Sequence, residues 1–346
     1  MSEVIGGEYE IILPSTKIQS DLGPFAEGKL YSSGRAALYF IILSLRQEHT
    51  EINSVLVPDY ICDTVIDTLN AVKMSWRVYH LNDDLTINQN EFVKIDLSCC
   101  AVLLVNYFGL SAMQSEIAFV RSINKDVIVI EDNVQSFYSM FSNSDSNYRF
   151  TSFRKSLPLP DGGWAVSKHP LLNADKEENT FSQYKVAGSI LKNMRNLGFW
   201  GDEIYLQLFK QGEELIDDNI TKSISQFTID SLPHMRDYNR YGTIRRRNAR
   251  FLISALRELN IKPILPLGKD NIPLFIPIRI KNREKVRQAL FADNIFCPVH
   301  WPFTNSFSEN FVLGKELAEE EVSIIVDYRY TINDMKRIIN VIKYNI

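Results

Sequence analysis

Three short segments of the chain hold side chains whose types and spacing could do chemistry. The first is Asp132, two residues past the apolar run Val127-Ile128-Val129-Ile130. A carboxylate at the carboxyl end of a strand can keep a pyridinium nitrogen protonated, which makes the ring an electron sink. Asp132 could equally cap the segment that follows it. The second is Lys155, in Thr151-Ser152-Phe153-Arg154-Lys155, just before Ser156-Leu157-Pro158-Leu159-Pro160-Asp161-Gly162-Gly163. An amine displayed before such a Pro/Gly-rich loop forms a Schiff base with a carbonyl once neighbours suppress its charge, and Arg154 is one such neighbour. Read alone, it is also an ordinary surface lysine. The third is Ser33-Gly34-Arg35. A glycine at the mouth of a helix lets backbone approach a phosphate, and the arginine adds a guanidinium that can take two oxygens. A plain capped helix start is the alternative. Gln135 lies three residues beyond Asp132, and Ser152 three before Lys155. Their order carries more than any one of them: anion-binding turn, strand–Asp, Ser-x-x-Lys, Gly-Gly.

The elements that must position these residues alternate along the first half. Residues 33–47 read as a turn and helix, with Ala37, Phe40, Ile41 and Leu45 on one face. Val55-Leu56-Val57-Pro58 is a short buried strand, and residues 61–72 are helical again. Val78-Tyr79 belongs to another strand. Residues 101–105 form an apolar run ending in Asn106-Tyr107-Phe108-Gly109, residues 111–123 a helix, and 127–130 a fourth strand. Continuous apolar strands between helices predict an α/β fold, a mostly parallel sheet covered on both faces. Ligands then sit beyond the carboxyl ends of the strands. The second half is mostly helical over 178–215, broken near Gly198-Phe199-Trp200-Gly201, and helical again over 236–259. An extended run covers 274–280, a helix 282–293, a strand-like piece ending in His300-Trp301-Pro302, and a last helix 332–344. This divides the chain into a large domain, 1–244, and a smaller C-terminal α+β domain, 245–346, with the first ~20 residues packing on the small one.

Composition narrows the partners. The chain has 346 residues, 45% of them hydrophobic, and a net charge of -4, so neither nucleic acid nor an anionic membrane is called for. The basic run Arg245-Arg246-Arg247 with Arg250 reads as a solvated helix face. The polar first residues lack a secretory pattern, and no stretch approaches 18 apolar residues. Cys62, Cys99, Cys100 and Cys297 have no metal-type spacing. A reduced, cytoplasmic protein is expected.

These segments, in order, resemble the pyridoxal-phosphate (PLP) dependent sugar aminotransferases of the DegT–DnrJ–StrS family. Ser33-Gly34-Arg35-Ala36-Ala37-Leu38 resembles the family's Ser-Gly-Thr-Ala-Ala-Leu turn. Glu131-Asp132-Asn133-Val134-Gln135-Ser136 resembles Glu-Asp-Ala-Ala-Gln-Ala. Ser152-Phe153, Lys155 and Asp161-Gly162-Gly163 resemble the lysine segment. Val57-Pro58 to Asn70-Ala71, Asn106-Tyr107-Phe108-Gly109, Asn282-Arg283 and Val299-His300-Trp301-Pro302 match further elements. The resemblance implies the aspartate-aminotransferase fold, fold type I, with PLP as cofactor. It implies that Lys155 holds the cofactor and shuttles protons, Asp132 pairs with the pyridine nitrogen and Gln135 contacts the ring's phenolic oxygen. Ser33, Gly34, Arg35 and Ser152 would bind phosphate, Tyr60 would stack on the ring, and His300, Tyr107 and Arg329 would contact substrate. It further implies a homodimer with shared sites, an amino donor such as glutamate and a keto-sugar acceptor. Departures are Arg35 in place of threonine, a shorter spacing from Ser152 to Lys155, and no counterpart in 217–231 of the family's Asn-Tyr-Arg-Met segment. Two other readings stand beside it: another fold type I enzyme acting on an amino acid, as lyase or in acyl transfer, and a non-catalytic homodimer that keeps the fold.

Overall fold

Three near-continuous apolar runs set the centre of the molecule, because a strand buried on both faces has no polar side to show. A computed structural model describes residues 4–11, 21–199, 201, 203–302 and 310–346. The strands are β1 (Ile5–Gly6), β2 (Lys29–Tyr31), β3 (Ser54–Pro58), β4 (Ser75–Tyr79), β5 (Cys100–Val105), β6 (Ile128–Asp132), β7 (Tyr148–Ser152), β8 (Gly163–Ser167), β9 (Phe275–Arg279), β10 (Ile295–Phe296) and β11 (Glu321–Ile325). The helices are α1 (Gly34–Glu48), α2 (Asp63–Ala71), α3 (Gln89–Phe92), α4 (Met113–Ile123), α5 (Phe181–Asn196), α6 (Glu203–Glu214), α7 (Gln226–Ser231), α8 (Tyr238–Glu258), α9 (Arg283–Ala292), α10 (Val312–Glu320) and α11 (Ile332–Asn345).

Seven strands form one sheet in the order β2-β8-β7-β6-β5-β3-β4. From β4 through β7 all neighbours are parallel, while β8 runs antiparallel to both β7 and β2. The chain is therefore α/β with a mostly parallel sheet between helices. The register sets Asp132 opposite Val105 on one side and Phe150 on the other, so the carboxyl ends of β5, β6 and β7 finish together. β3, β5 and β6 are buried throughout.

Beyond the 21-residue α8, β9 and β11 pair antiparallel, α8 and α10 pack on β9, and α11 packs on α8 and α9. The N-terminal β1 joins this part of the molecule, pairing Ile5 with Ile295 of β10. Residues 12–20 and Trp200, both within expectations above, lie outside the described residues. The strand-like piece expected to end at His300-Trp301-Pro302 is shorter: β10 stops at Phe296. Pro298 has no N–H to continue a ladder, and its carbonyl instead accepts from Ser323 N–H at 2.9 Å. Among the described residues no helix is long and apolar enough to cross a membrane, and no group of side chains could hold a metal ion.

Candidate active site

The start of α1 and the ends of β6 and β7 meet at one cavity. Ser33 caps α1: its Oγ accepts from Ala36 N–H at 3.1 Å, which fixes the helix mouth toward the sheet. Gly34 follows because there is no room for a side chain. A Cβ there would lie 3.1 Å from Ser152 Cβ and 3.2 Å from Val134 Cγ2. At Gly163, opposite, a Cβ would fall 2.0 Å from the Ser33 carbonyl oxygen. Asp161 anchors the loop before it, buried and accepting from Ser225 N–H at 2.7 Å, Ser225 Oγ at 2.8 Å and Asn179 Nδ2 at 2.5 Å.

The cavity, about 320 Å³, is lined by Ser33, Gly34, Arg35, Asp132, Gln135, Ser152 and Lys155, and on its other walls by Cys62, Thr64, Glu213, His300 and Trp301. Asp132 is buried and its Oδ1 accepts from Val134 N–H at 2.8 Å. Burial raises its carboxyl to about 6, against the pull of that N–H and of Lys155. Gln135 Oε1 accepts from Phe108 N–H at 3.0 Å, while its Nε2 is buried without a partner among the described residues. Burial and the neighbouring Arg154 hold the Lys155 ammonium below its ordinary value, although Cys62, Asp132 and Glu213 pull the other way.

Arg154 itself faces Glu213 of α6 with two bonds, 2.8 and 2.9 Å. Glu213 also meets Lys185 at 3.2 Å and Arg35 at 3.4 Å. Burial alone would raise this carboxylate, but Arg154, Lys185 and Arg35 bring it down to about 2. Arg35 is further tied to Asp217 at 2.7 Å. Its guanidinium thus reaches the cavity already paired with carboxylates.

A second cavity, about 380 Å³, shares Arg154, Lys155 and His300 with the first. Gly6, Gly7, Glu8 and Tyr9 form one wall, and Arg245, Asp327 and Arg329 another. Arg329 bonds Asp327 at 3.0 Å, Glu10 at 3.1 Å and the carbonyl oxygens of Gly7 and Glu8. Lys155 and His300 stand where the two cavities meet.

The fold therefore brings Ser33, Gly34, Arg35, Asp132, Gln135, Ser152, Lys155 and His300 together, with Arg329 one cavity further on. Tyr60 and Tyr107 line neither cavity. Tyr60 stacks on Tyr107 at 5.5 Å, donates to the His300 carbonyl, and is 1% exposed. Tyr107 donates to the Tyr60 carbonyl at 2.5 Å. The wall expected from Tyr60 is formed instead by Cys62, the N-cap residue of α2, two residues on. Glu213, Asp327 and Arg245 also line the cavities, and no motif in the sequence points to them. Their signal was charge on an otherwise packed helix or strand end, which periodicity does not separate from a solvated face.

No protein-family model matches the chain, and no curated protein matches it. Solved structures do. An aminotransferase of the DegT DnrJ EryC1 StrS group from Brucella abortus superposes with a TM-score of 0.64 over 92% of this chain and 86% of its own, at 15% identity. A sugar aminotransferase from Micromonospora echinospora gives 0.63 over 92% and 87%, at 14% identity. The GDP-4-keto-6-deoxy-D-mannose-3-dehydratase of E. coli, solved with bound hydrated PLP, gives 0.62 over 92% and 88%, at 15% identity. This chain has the fold of the PLP-dependent sugar aminotransferases. Within that fold, fold type I, the first cavity lies beyond the carboxyl ends of β5, β6 and β7, where open α/β sheets bind their ligands, and the second adjoins it at Lys155 and His300.

Proposed function

We propose that the chain is a PLP-dependent aminotransferase that moves an amino group from an amino acid such as glutamate to a keto sugar, nucleotide-linked. One observation carries this reading. Lys155 shares a cavity with a buried, protonation-prone carboxylate and an anion-ready helix start, and borders a second cavity large enough for a substrate.

The residues fit the cofactor. Gln135 Nε2 is a buried donor with no partner among the described residues, suited to an aromatic oxygen. Asp132 is a buried carboxylate lacking a cation, suited to a ring N–H⁺. Ser33, Gly34 and Ser152 close a cradle that a Cβ at position 34 would fill, suited to a phosphate. When bound, PLP supplies an aldehyde and an electron-withdrawing ring. Asp132 would keep the ring nitrogen charged, and Gln135 would fix the ring's orientation. Lys155 Nζ, below its ordinary value because it is buried, is the base that moves the proton in the transfer.

The same reading includes a two-fold homodimer. Of twelve large apolar side chains exposed among the described residues, six lie between Tyr184 and Leu206, on and between α5 and α6. Such a concentration favours burial against a second copy. Light scattering of the purified protein should give twice the chain mass, and a monomer retaining PLP would refute shared sites.

Single-turnover absorbance tests the reaction. Glutamate should change the cofactor spectrum and leave as its keto acid. A keto-sugar nucleotide should then restore the spectrum and gain an amine by mass. Loss of a carboxylate or side chain from an amino acid would favour the lyase alternative, loss of water from the sugar a dehydratase, and no change with any donor a non-catalytic protein.

A further inference from the structure

We propose that His300, Ser323 and Glu321 form a proton relay that opens beside Lys155, taking up a proton at His300 Nε2 and storing it on Glu321. Its role in amino transfer rests on the function proposed above. His300 Nδ1 lies 2.8 Å from Ser323 Oγ, and Ser323 Oγ lies 2.5 Å from Glu321 Oε1. The other carboxylate oxygen, Oε2, accepts from His300 N–H at 2.7 Å. The imidazole is held between Phe108 and Phe275, with ring centroids 5.5 and 5.1 Å away. Nε2 is the remaining ring nitrogen, on a residue that lines both cavities.

The hydroxyl has one proton, so the chain of bonds has two states. With Glu321 ionised, Ser323 donates to Glu321, and His300 donates from Nδ1. A proton arriving at Nε2 forms an N–H bond there. The Nδ1–H bond breaks and its proton passes to Ser323 Oγ, whose own proton passes to Glu321 Oε1. The histidine ends neutral, carrying its proton on Nε2, and the carboxylate ends neutral. No electrons or other reactants are required. The relay avoids a buried imidazolium next to Lys155, which burial and that lysine both oppose, holding His300 down to about 3. Burial raises the Glu321 carboxyl to about 8, even though the Ser323 and His300 bonds and the more distant Arg283 and Arg287 favour its charge. The other titratable groups facing this cluster are Tyr60, which donates to the His300 carbonyl, and Cys297.

The test is imidazole nitrogen NMR on the full-length protein labelled with ¹⁵N-histidine, with His300 identified by its loss in His300→Gln. Below about pH 8 the ring should carry its proton on Nε2, and above it on Nδ1, with no imidazolium down to pH 6. The other four histidines are internal references. In Ser323→Ala the tautomer should stop following pH, and Ser323→Thr, which returns a hydroxyl to the strand, should restore the switch. The pH step in the turnover rate between 7 and 9 should vanish with Ser323→Ala and return with Ser323→Thr. A His300 that charges near 6.5, or one tautomer throughout pH 6.5–9.5, overturns the relay. A switching tautomer in a protein that transfers no amino group would leave the relay standing and remove the proposed reaction instead.

Discussion

Asp132 and Asp327 are the same residue type, each buried, each just at or past the end of a strand, and each on the wall of a cavity. Their surroundings differ. Asp327 has Arg329 at 3.0 Å and Arg245 at 3.9 Å, and accepts from Arg329 N–H at 2.9 Å. Burial would raise its carboxyl, yet these arginines hold it below the ordinary value. Asp132 has no lysine or arginine within ion-pair distance among the described residues, and it rises. A buried charge with its partner in place is a structural joint, whereas one left without a partner is positioned for a cation that arrives with a ligand.

The largest effect should come from the residue between the two cavities. Lys155→Ala should abolish the borohydride-trapped mass adduct and lower amino transfer by at least about 10³-fold, since it removes both the covalent anchor and the proton carrier. A variant that still traps cofactor covalently would overturn the assignment. The two aspartates should then part in sign when unfolding is followed in cofactor-free protein. Asp327→Asn takes the carboxylate from the buried Arg245 and from Arg329, which keeps only Glu10, and should cost about 3–5 kcal/mol. Asp132→Asn should stabilise at neutral pH, by on the order of 1–3 kcal/mol, because an unpaired buried carboxylate is replaced by a neutral amide. It should also slow amino transfer and loosen the cofactor.

The pH dependence follows. Asp132 has a folded value above its ordinary one, so its contribution is present below about pH 4 and lost as pH rises through 6. Asp327 has a lowered value, so its contribution is present above the ordinary carboxylate range and lost as pH falls. Asp132→Asn should therefore flatten the stability profile between pH 4 and 6, and Asp327→Asn should not. If both variants move stability in the same direction, the contrast fails. The smallest effect belongs to Arg35. With Asp217 and Glu213 already bound, Arg35→Ala should weaken PLP retention by only about 1 kcal/mol, roughly fivefold. A loss of 3 kcal/mol or more would mean that the arginine leaves its carboxylates for the phosphate.

The first cavity's floor was legible in the sequence because its signals are local. Asp132 follows an apolar run, Ser33 and Gly34 open a helix with visible periodicity, and Lys155 precedes a Pro/Gly loop. The parallel strands β3, β5 and β6 were legible for the same reason. Strands β2, β7, β8 and β11 were not, because residues such as Tyr148-Arg149-Phe150-Thr151-Ser152 mix polar and apolar types at the sheet's antiparallel side. That Cys62 and not Tyr60 reaches the cavity depends on where α2 begins, and helix ends are the least legible part of a sequence. The second cavity gathers Tyr9, Arg245 and Asp327 from distant parts of the chain, so no local pattern announces it. Arg245 was read as part of a solvated face, yet it is 1% exposed and bonded to Tyr9 and the Leu274 carbonyl.

The pairing of Ile5 with Ile295 has a consequence for how the protein is made. The segment that walls the second cavity is made well before its strand partner, which follows about 290 residues later, roughly 15–60 s at about 5–20 residues per second. Through that interval the main sheet has all its strands and can fold, while Ile5 and Gly6 wait for β10, and the carbonyls of Gly7 and Glu8 for Arg329. The wall of the second cavity is therefore completed last. A nascent chain stalled before residue 295 should hold a folded sheet and an open second cavity, a state that protease accessibility of the first ten residues would distinguish from the completed protein.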